Sequence, residues 1–180
     1  LSILILVFGC TDPQMPPEVK LGEEQEHNLW KSGAEVYAPD GYNHYRISFR
    51  KAKEDLIKEK SRFLWFQDYR LVQSEFRDVL KAGYALQEKI LEQKNIKKES
   101  TSNQISLLKN RIETLKRLTE IINEGRFARK DLIKAELLLS EAISRYDNSD
   151  YVAAEDKIKN LSGFIKAAED AILPIFNRYA

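Results

Sequence analysis

Apolar residues recur along this chain every three or four positions, from Tyr42 almost to its last residue. The first stripe runs Tyr42, Tyr45, Phe49, Ala52, Leu56, then Phe63, Phe66, Tyr69, Val72, Phe76, Val79, then Leu86 and Ile90. Glu59 and Gly83 are its exceptions. That spacing describes one face of a helix. Pro39 suits a first helical turn, where its missing N–H costs nothing, and Pro39-Asp40-Gly41 is equally a turn leading into one. Unbroken to residue 97, the helix would be on the order of 80 Å long at about 1.5 Å per residue.

The polar run Lys97-Lys98-Glu99-Ser100-Thr101-Ser102-Asn103 predicts a break, with Thr101 and Gln104 at capping-box spacing for the next helix. A second stripe follows through Ile105, Leu108, Ile112, Leu115, Leu118 and Ile122. It resumes at Ala128, Leu132, Ala135, Leu139, Ala142 and Tyr146, with Gly125 between the halves to bend or weaken it. Asp147-Asn148-Ser149-Asp150 reads as a turn with a ready N-cap. The last stripe is Tyr151, Ala154, Ile158, Leu161, Ile165, Ala168, Ile172, Ile175 and Tyr179, with Pro174 expected to kink it. A shorter segment, about residues 18 to 36, predicts an N-terminal helix carrying Leu29 and Trp30. No segment reads as a strand. The expected fold is all-α: an elongated antiparallel three- or four-helix bundle with coiled-coil-like packing.

Composition narrows the partners. The 180 residues hold 29 basic and 28 acidic side chains, for a net charge of +1. Spread along the chain in this way, the charge gives no nucleic-acid footprint. One cysteine allows no intramolecular disulfide, so packing must supply the stability.

That cysteine, Cys10, follows the uncharged apolar run Leu1–Gly9 and precedes Thr11-Asp12-Pro13-Gln14-Met15-Pro16-Pro17. The run has the layout of a secretory h-region ending at a small residue and is too short to span a bilayer. A Pro-rich stretch after it favours an extended tether. Val7-Phe8-Gly9-Cys10 resembles the lipobox of bacterial lipoproteins, with Phe8 bulkier than the usual small residue. The resemblance implies that Cys10 carries lipid, that the chain as given starts inside its signal peptide, and, with Thr11 following, that the destination is the outer membrane. The expected organisation is a truncated lipoprotein signal peptide at 1–10, a tether at 11–21 and a helical bundle at 22–180.

Two stretches look alike: Tyr37-Ala38-Pro39, Tyr42, Phe49, Ala52, Asp68-Tyr69, Val72, Phe76, Val79, and Phe127-Ala128, Leu132, Leu139, Ala142, Asp150-Tyr151, Ala154, Ile158, Leu161. The spacing inside the copies differs by about two helical turns. An internal repeat and the shared grammar of helical hairpins both account for the likeness. Ala-Pro, alanines at helical spacing, then Asp-Tyr and more alanines resembles a family of bacterial envelope lipoproteins. In that family a long Ala-rich helical domain of unknown function often precedes an OmpA-like domain. This chain has aromatics where the family favours alanine, and no α/β segment matches an OmpA-like domain, so peptidoglycan binding does not carry over.

Chemistry is sparse. Glu24 and His27 have the Glu-x-x-His spacing of di-iron bundles, but Gly41 stands where His44 would need its glutamate. There is no Gly-rich phosphate loop, nucleophile elbow or zinc-ligand spacing. Cys10 has no neighbouring histidine to activate it. No catalytic, cofactor or metal residues are assigned, and no cofactor is expected.

Phe63-Leu64-Trp65-Phe66 stands apart, because four consecutive apolar residues point all around a helix and no single face buries them. Either neighbouring helices enclose this level of the bundle, Trp30 among them, or Phe63, Trp65, Phe66 and Tyr69 form an exposed partner surface. The functional expectation is a non-enzymatic, lipid-anchored periplasmic scaffold, spacer or adaptor of the cell envelope. Its membrane contact would be lipidated Cys10, and its other partner a protein or a second copy. The alternatives are an accessory lipoprotein of an export or assembly machine, and an envelope enzyme or small-ligand carrier with a site between helices.

Overall fold

A computed structural model describes residues 15–121 and 126–179, with the side chains of 126, 127 and 179 excepted. Cys10, Ile122 and Gly125, and the side chains of Arg126, Phe127 and Tyr179, lie outside what is described. Every regular element among the described residues is helical: α1 (Pro17–Lys31), α2 (Ala34–Tyr37), α3 (Pro39–Lys60), a 3₁₀ turn (Leu64–Phe66), α4 (Arg70–Ile121), α5 (Arg126–Asp147) and α6 (Tyr151–Tyr179). The chain is all-α, as the stripes predict. It divides into two compact units between Gln93 and Lys94, within α4.

In the first unit, α1, α3 and the leading part of α4 run up, down and up. Glu18 in the first turn of α1 accepts hydrogen bonds from Gln73 and Arg77 near the start of α4, at 2.9 Å each. Gln25, two turns on, donates to Leu80 O at 2.9 Å, so α1 and α4 are parallel. Lys51 of α3 pairs with Glu75 at 2.5 Å and Lys53 with Glu23 at 3.1 Å. The core joins Val19, Leu29, Tyr42, Tyr45, Phe49, Leu56, Val72, Phe76, Leu86 and Ile90. Phe76 is fully buried and meets Phe49 edge-on at 6.1 Å. A Cβ at residue 22 would stand 2.9 Å from the Phe76 ring, so glycine there lets α1 lie against it.

The second unit repeats the plan with the trailing part of α4, α5 and α6. Lys97 pairs with Glu155 and Arg111 with Glu169, while Lys116 reaches Glu136 at 2.6 Å and Lys157 reaches Glu141 at 2.5 Å. Leu108, Ile112, Leu115, Leu132, Leu139, Ile158, Leu161, Ile165 and Ile172 fill its core. The α5–α6 turn is a Schellman motif: Ser149 N–H donates to Tyr146 O and Asp150 N–H to Arg145 O, both at 2.9 Å, with Ser149 left-handed at φ 61°. Asp150 then caps α6 by accepting from Ala153 N–H at 3.2 Å.

Buried positions correspond between the two hairpins. Ala38, Tyr42, Tyr45, Phe49 and Ala52 match Ala128, Leu132, Ala135, Leu139 and Ala142, each 90 positions on. Val72, Phe76, Val79, Leu86 and Ile90 match Ala154, Ile158, Leu161, Ala168 and Ile172, each 82 positions on. Of the difference of 8 positions, 6 fall in the joint itself, residues 61–69 against 148–150, and the other 2 in the adjoining helix ends.

Three expectations need correction. The first helix does not run from 40 to 97; α3 stops at Lys60, one turn past its last buried side chain, Leu56. The break expected at Lys97–Asn103 is continuous helix, because no proline or glycine interrupts residues 84–121 and polar side chains fill the inward positions. Thr101 is no cap there but fully buried in mid-helix. The tether expected through residue 21 gives way to helix at Pro17, where proline opens α1 and Val19 is already buried. Helix α6 continues past Pro174 to Tyr179.

Candidate functional site

Residues 61–69, joining α3 to α4, hold the candidate surface. At the end of α3, Ser61 N–H donates to Ile57 O and Arg62 N–H to Glu59 O, and the Gln67 amide donates to Lys60 O at 3.2 Å and Arg62 O at 3.0 Å. Glu59 accepts from Asp68 N–H at 2.5 Å and from Arg62 at 3.1 Å, which closes the connection from its other side. Phe66 N–H donates to Phe63 O at 2.8 Å, making the 3₁₀ turn. Asp68 accepts from Arg70 N–H at 3.1 Å, and the Arg70 guanidinium grips the same carboxylate at 2.6 Å. Those hydrogen bonds from the Arg70 side chain and backbone hold the Asp68 carboxyl at about 2, well below the usual carboxylate range.

Polar groups therefore form the inside of this connection and its apolar side chains face out. Phe63 is 75% exposed, Trp65 77%, Phe66 67% and Leu64 47%. Phe63 and Trp65 touch edge-on at 6.4 Å. Of the two readings of the cluster, the exposed one holds: no described helix of the first unit encloses it. Trp30, expected as part of the enclosure, is itself exposed and stacks on His27 at 6.2 Å. Of the four expected surface residues, Phe63, Trp65 and Phe66 come together. Tyr69 does not join them: it is half-buried against the core, and its hydroxyl donates to Gln67 at 3.1 Å. Leu64 belongs to the patch and was legible in the four-residue run.

The end of the unit carrying this patch is fixed by its pairings. Glu18 bonds Gln73 and Arg77, so the first turn of α1 lies beside the first turns of α4. The α3–α4 joint and the start of α1 thus share one end of the first unit.

Grooves of about 250 Å³ (Gln104, Leu108, Arg111, Ile158, Ser162) and about 330 Å³ (Glu26, Arg46, Phe49, Arg50, Lys53) lie between helices. Among the described residues, the carboxyl groups whose affinity for protons shifts all shift downward. At Glu18 burial works against this, and its hydrogen bonds and the Arg77 charge prevail. At Asp55 the hydrogen bond from Lys58 leads, and at Asp68 that from Arg70. No three His, Cys, Asp or Glu side chains among the described residues group as metal ligands, and Glu24 and His27 are both exposed. No described helix is long and apolar enough to cross a membrane. The sequence reading missed Gln25, a buried amide that donates to Leu80 O and accepts from Tyr45 at 3.3 Å. Its only signal was a polar residue falling between Gly22 and Leu29 on the inward face. Compared with protein-family models, curated proteins and solved structures, the chain matches none.

Proposed function

We propose that this protein is a non-enzymatic, lipid-anchored scaffold, spacer or adaptor of a bacterial cell envelope, held at the outer membrane and facing the periplasm. The observation that carries this reading is the apolar run ending in Val7-Phe8-Gly9-Cys10, which resembles a lipoprotein processing site, followed within seven residues by the start of a packed helical unit. An acylated cysteine at that place attaches the chain without any membrane-spanning helix, and two or more acyl chains hold it stably. What is attached supports a mechanical or adaptor role. Both units are filled by side chains in helical register, and the charged groups that bridge their helices are engaged in ion pairs rather than poised in opposed environments. The exposed aromatic joint is the feature best suited to contact something else.

The test is the mass of the mature N-terminus, read on protein recovered from a bacterial envelope. The reading requires a chain that begins at Cys10 and carries diacylglycerol and an amide-linked acyl group. A chain beginning elsewhere, or an unmodified Cys10, overturns it. A Cys10→Ser form retained on membranes through residues 1–9 would not mimic this result, because its mass differs.

A further inference from the structure

We propose that the joint between α3 and α4 is a membrane-inserting tip, whose Phe63, Leu64, Trp65 and Phe66 side chains enter the interface of an anionic bilayer. For its geometry the proposal rests on lipid attachment at Cys10, with the tip serving as a second attachment to the same membrane.

Four observations converge on a bilayer. First, the side chains are large, apolar and outward-facing, and one is a tryptophan. An indole with a polar N–H and an apolar body is the side chain that settles at membrane interfaces. Second, residues 60–67 hold two cations, Lys60 and Arg62, and no acid. Across residues 59–70 three cations (Lys60, Arg62 and Arg70) stand against two acids, with Glu59 paired to Arg62 and Asp68 to Arg70, so the tip carries a net charge of +1. Basic side chains around exposed aromatic and aliphatic ones match an anionic headgroup layer.

Third, the tip is braced. Gln67 and Glu59 tie down the backbone of the connection, so the apolar side chains are held outward before any partner arrives. Binding then orders little that is not already ordered. Four side chains around one short turn would need a matching cavity in a protein partner, whereas hydrocarbon accepts them in any orientation. Fourth, the chain leading to Cys10 leaves α1 at the same end of the first unit as the tip, as the Glu18 bonds to Gln73 and Arg77 establish. Cys10 and Pro17 are separated by residues 11–16, a reach of at most about 25 Å at 3.3–3.6 Å per residue. Lipid and tip can therefore address one bilayer surface, the acyl chains holding the chain there and the tip giving the first unit a second point of contact.

The experiment uses the full chain with Cys10→Ser and Trp30→Phe, so that no lipid is present and Trp65 alone reports by fluorescence. The probe is vesicles of phosphatidylethanolamine with phosphatidylglycerol, plain or with brominated acyl chains. The matched control adds Phe63→Ser, Leu64→Ser, Trp65→Ser and Phe66→Ser, which touch neither core. Because residues 1–9 can bind vesicles themselves, the difference between the two chains is the measure. Insertion predicts a blue shift and bromine quenching of Trp65 emission, and partitioning about tenfold or more weaker in the control at equal helix content. Unmoved Trp65 emission with equal partitioning overturns the proposal. So does a Trp65 shift that appears without vesicles, tracks protein concentration and sediments as a dimer, which would assign the tip to a second copy of the chain. A failure of the lipid reading shows separately, as an unmodified Cys10 in the mass of the native N-terminus.

Discussion

Gln25 of α1 occupies the space that a side chain at Gly83 of α4 would need: a Cβ there would stand 2.1 Å from Gln25 Oε1. The two helices approach closely because one side contributes no side chain and the other an amide that bonds Leu80 O and Tyr45. Alanine is the better helix former by about 1 kcal/mol. Even so, Gly83→Ala is expected to destabilise the first unit, because it displaces a buried amide from its partners at a cost of about 1–3 kcal/mol. In a Gln25→Ala background the same substitution should stabilise by about 1 kcal/mol, as helix propensity then acts unopposed. Urea denaturation of the four chains checks the reversal of sign, and additive effects would refute the coupling.

Thr101 presents the opposite case, a buried hydroxyl whose oxygen has no hydrogen-bond partner among the described residues. Thr101→Val keeps the shape and removes the polar atom, so it should raise stability by about 1 kcal/mol. An upward shift of the thermal midpoint of the second unit is the expected result. A fall would mean that the hydroxyl is hydrogen-bonded in solution.

At the α5–α6 turn, Ser149 holds a left-handed conformation at φ 61° that costs an L-residue about 1 kcal/mol. The position is the residue just past the helix end in a Schellman motif, where glycine is preferred. Ser149→Gly should gain up to about 1 kcal/mol in chemical denaturation, and Asp150→Ala should lose about 1 kcal/mol through the cap of α6.

Asp68 carries the clearest pH signature. The Arg70 hydrogen bonds lower its folded affinity for protons to a value of about 2, below the ordinary aspartate range near 3.9. The sign follows: whatever this pairing adds to stability is fully present above the ordinary range and is lost as pH falls through about 2. Because the group is exposed, that addition is small, and the useful readout is the carboxyl resonance itself. Its NMR midpoint should lie near 2 in the parent and return toward the ordinary range in Arg70→Ala.

Helix positions were legible wherever apolar residues kept their period. Tyr42 to Leu56 and Tyr151 to Ile172 face inward at the predicted positions. The period misled at two places, for opposite reasons. At Phe63 and Phe66 it continued by coincidence through a segment that is not α-helical, since the spacing of two aromatics does not reveal whether a core lies beneath them. Across Lys97 and Thr101 it vanished although the helix continued, because an ion pair with Glu155 and a small hydroxyl serve as inward contacts. The candidate surface was visible as four consecutive apolar residues, but its outward orientation depends on Gln67 and Glu59 reaching back to the chain. Such returns leave no periodic trace.

The 90- and 82-position registers have one further consequence. If the two hairpins share a plan and differ by 8 positions at and beside their joints, the aromatic segment is a graft that the helical framework can carry or omit. A first hairpin shortened by 8 positions in all, 6 from the joint and 2 from the adjoining helix ends, would have the core spacing of the second. The helical framework is then separable from the turn it carries: the apolar stripes decide that each unit packs, and the joint can change length and character without disturbing them.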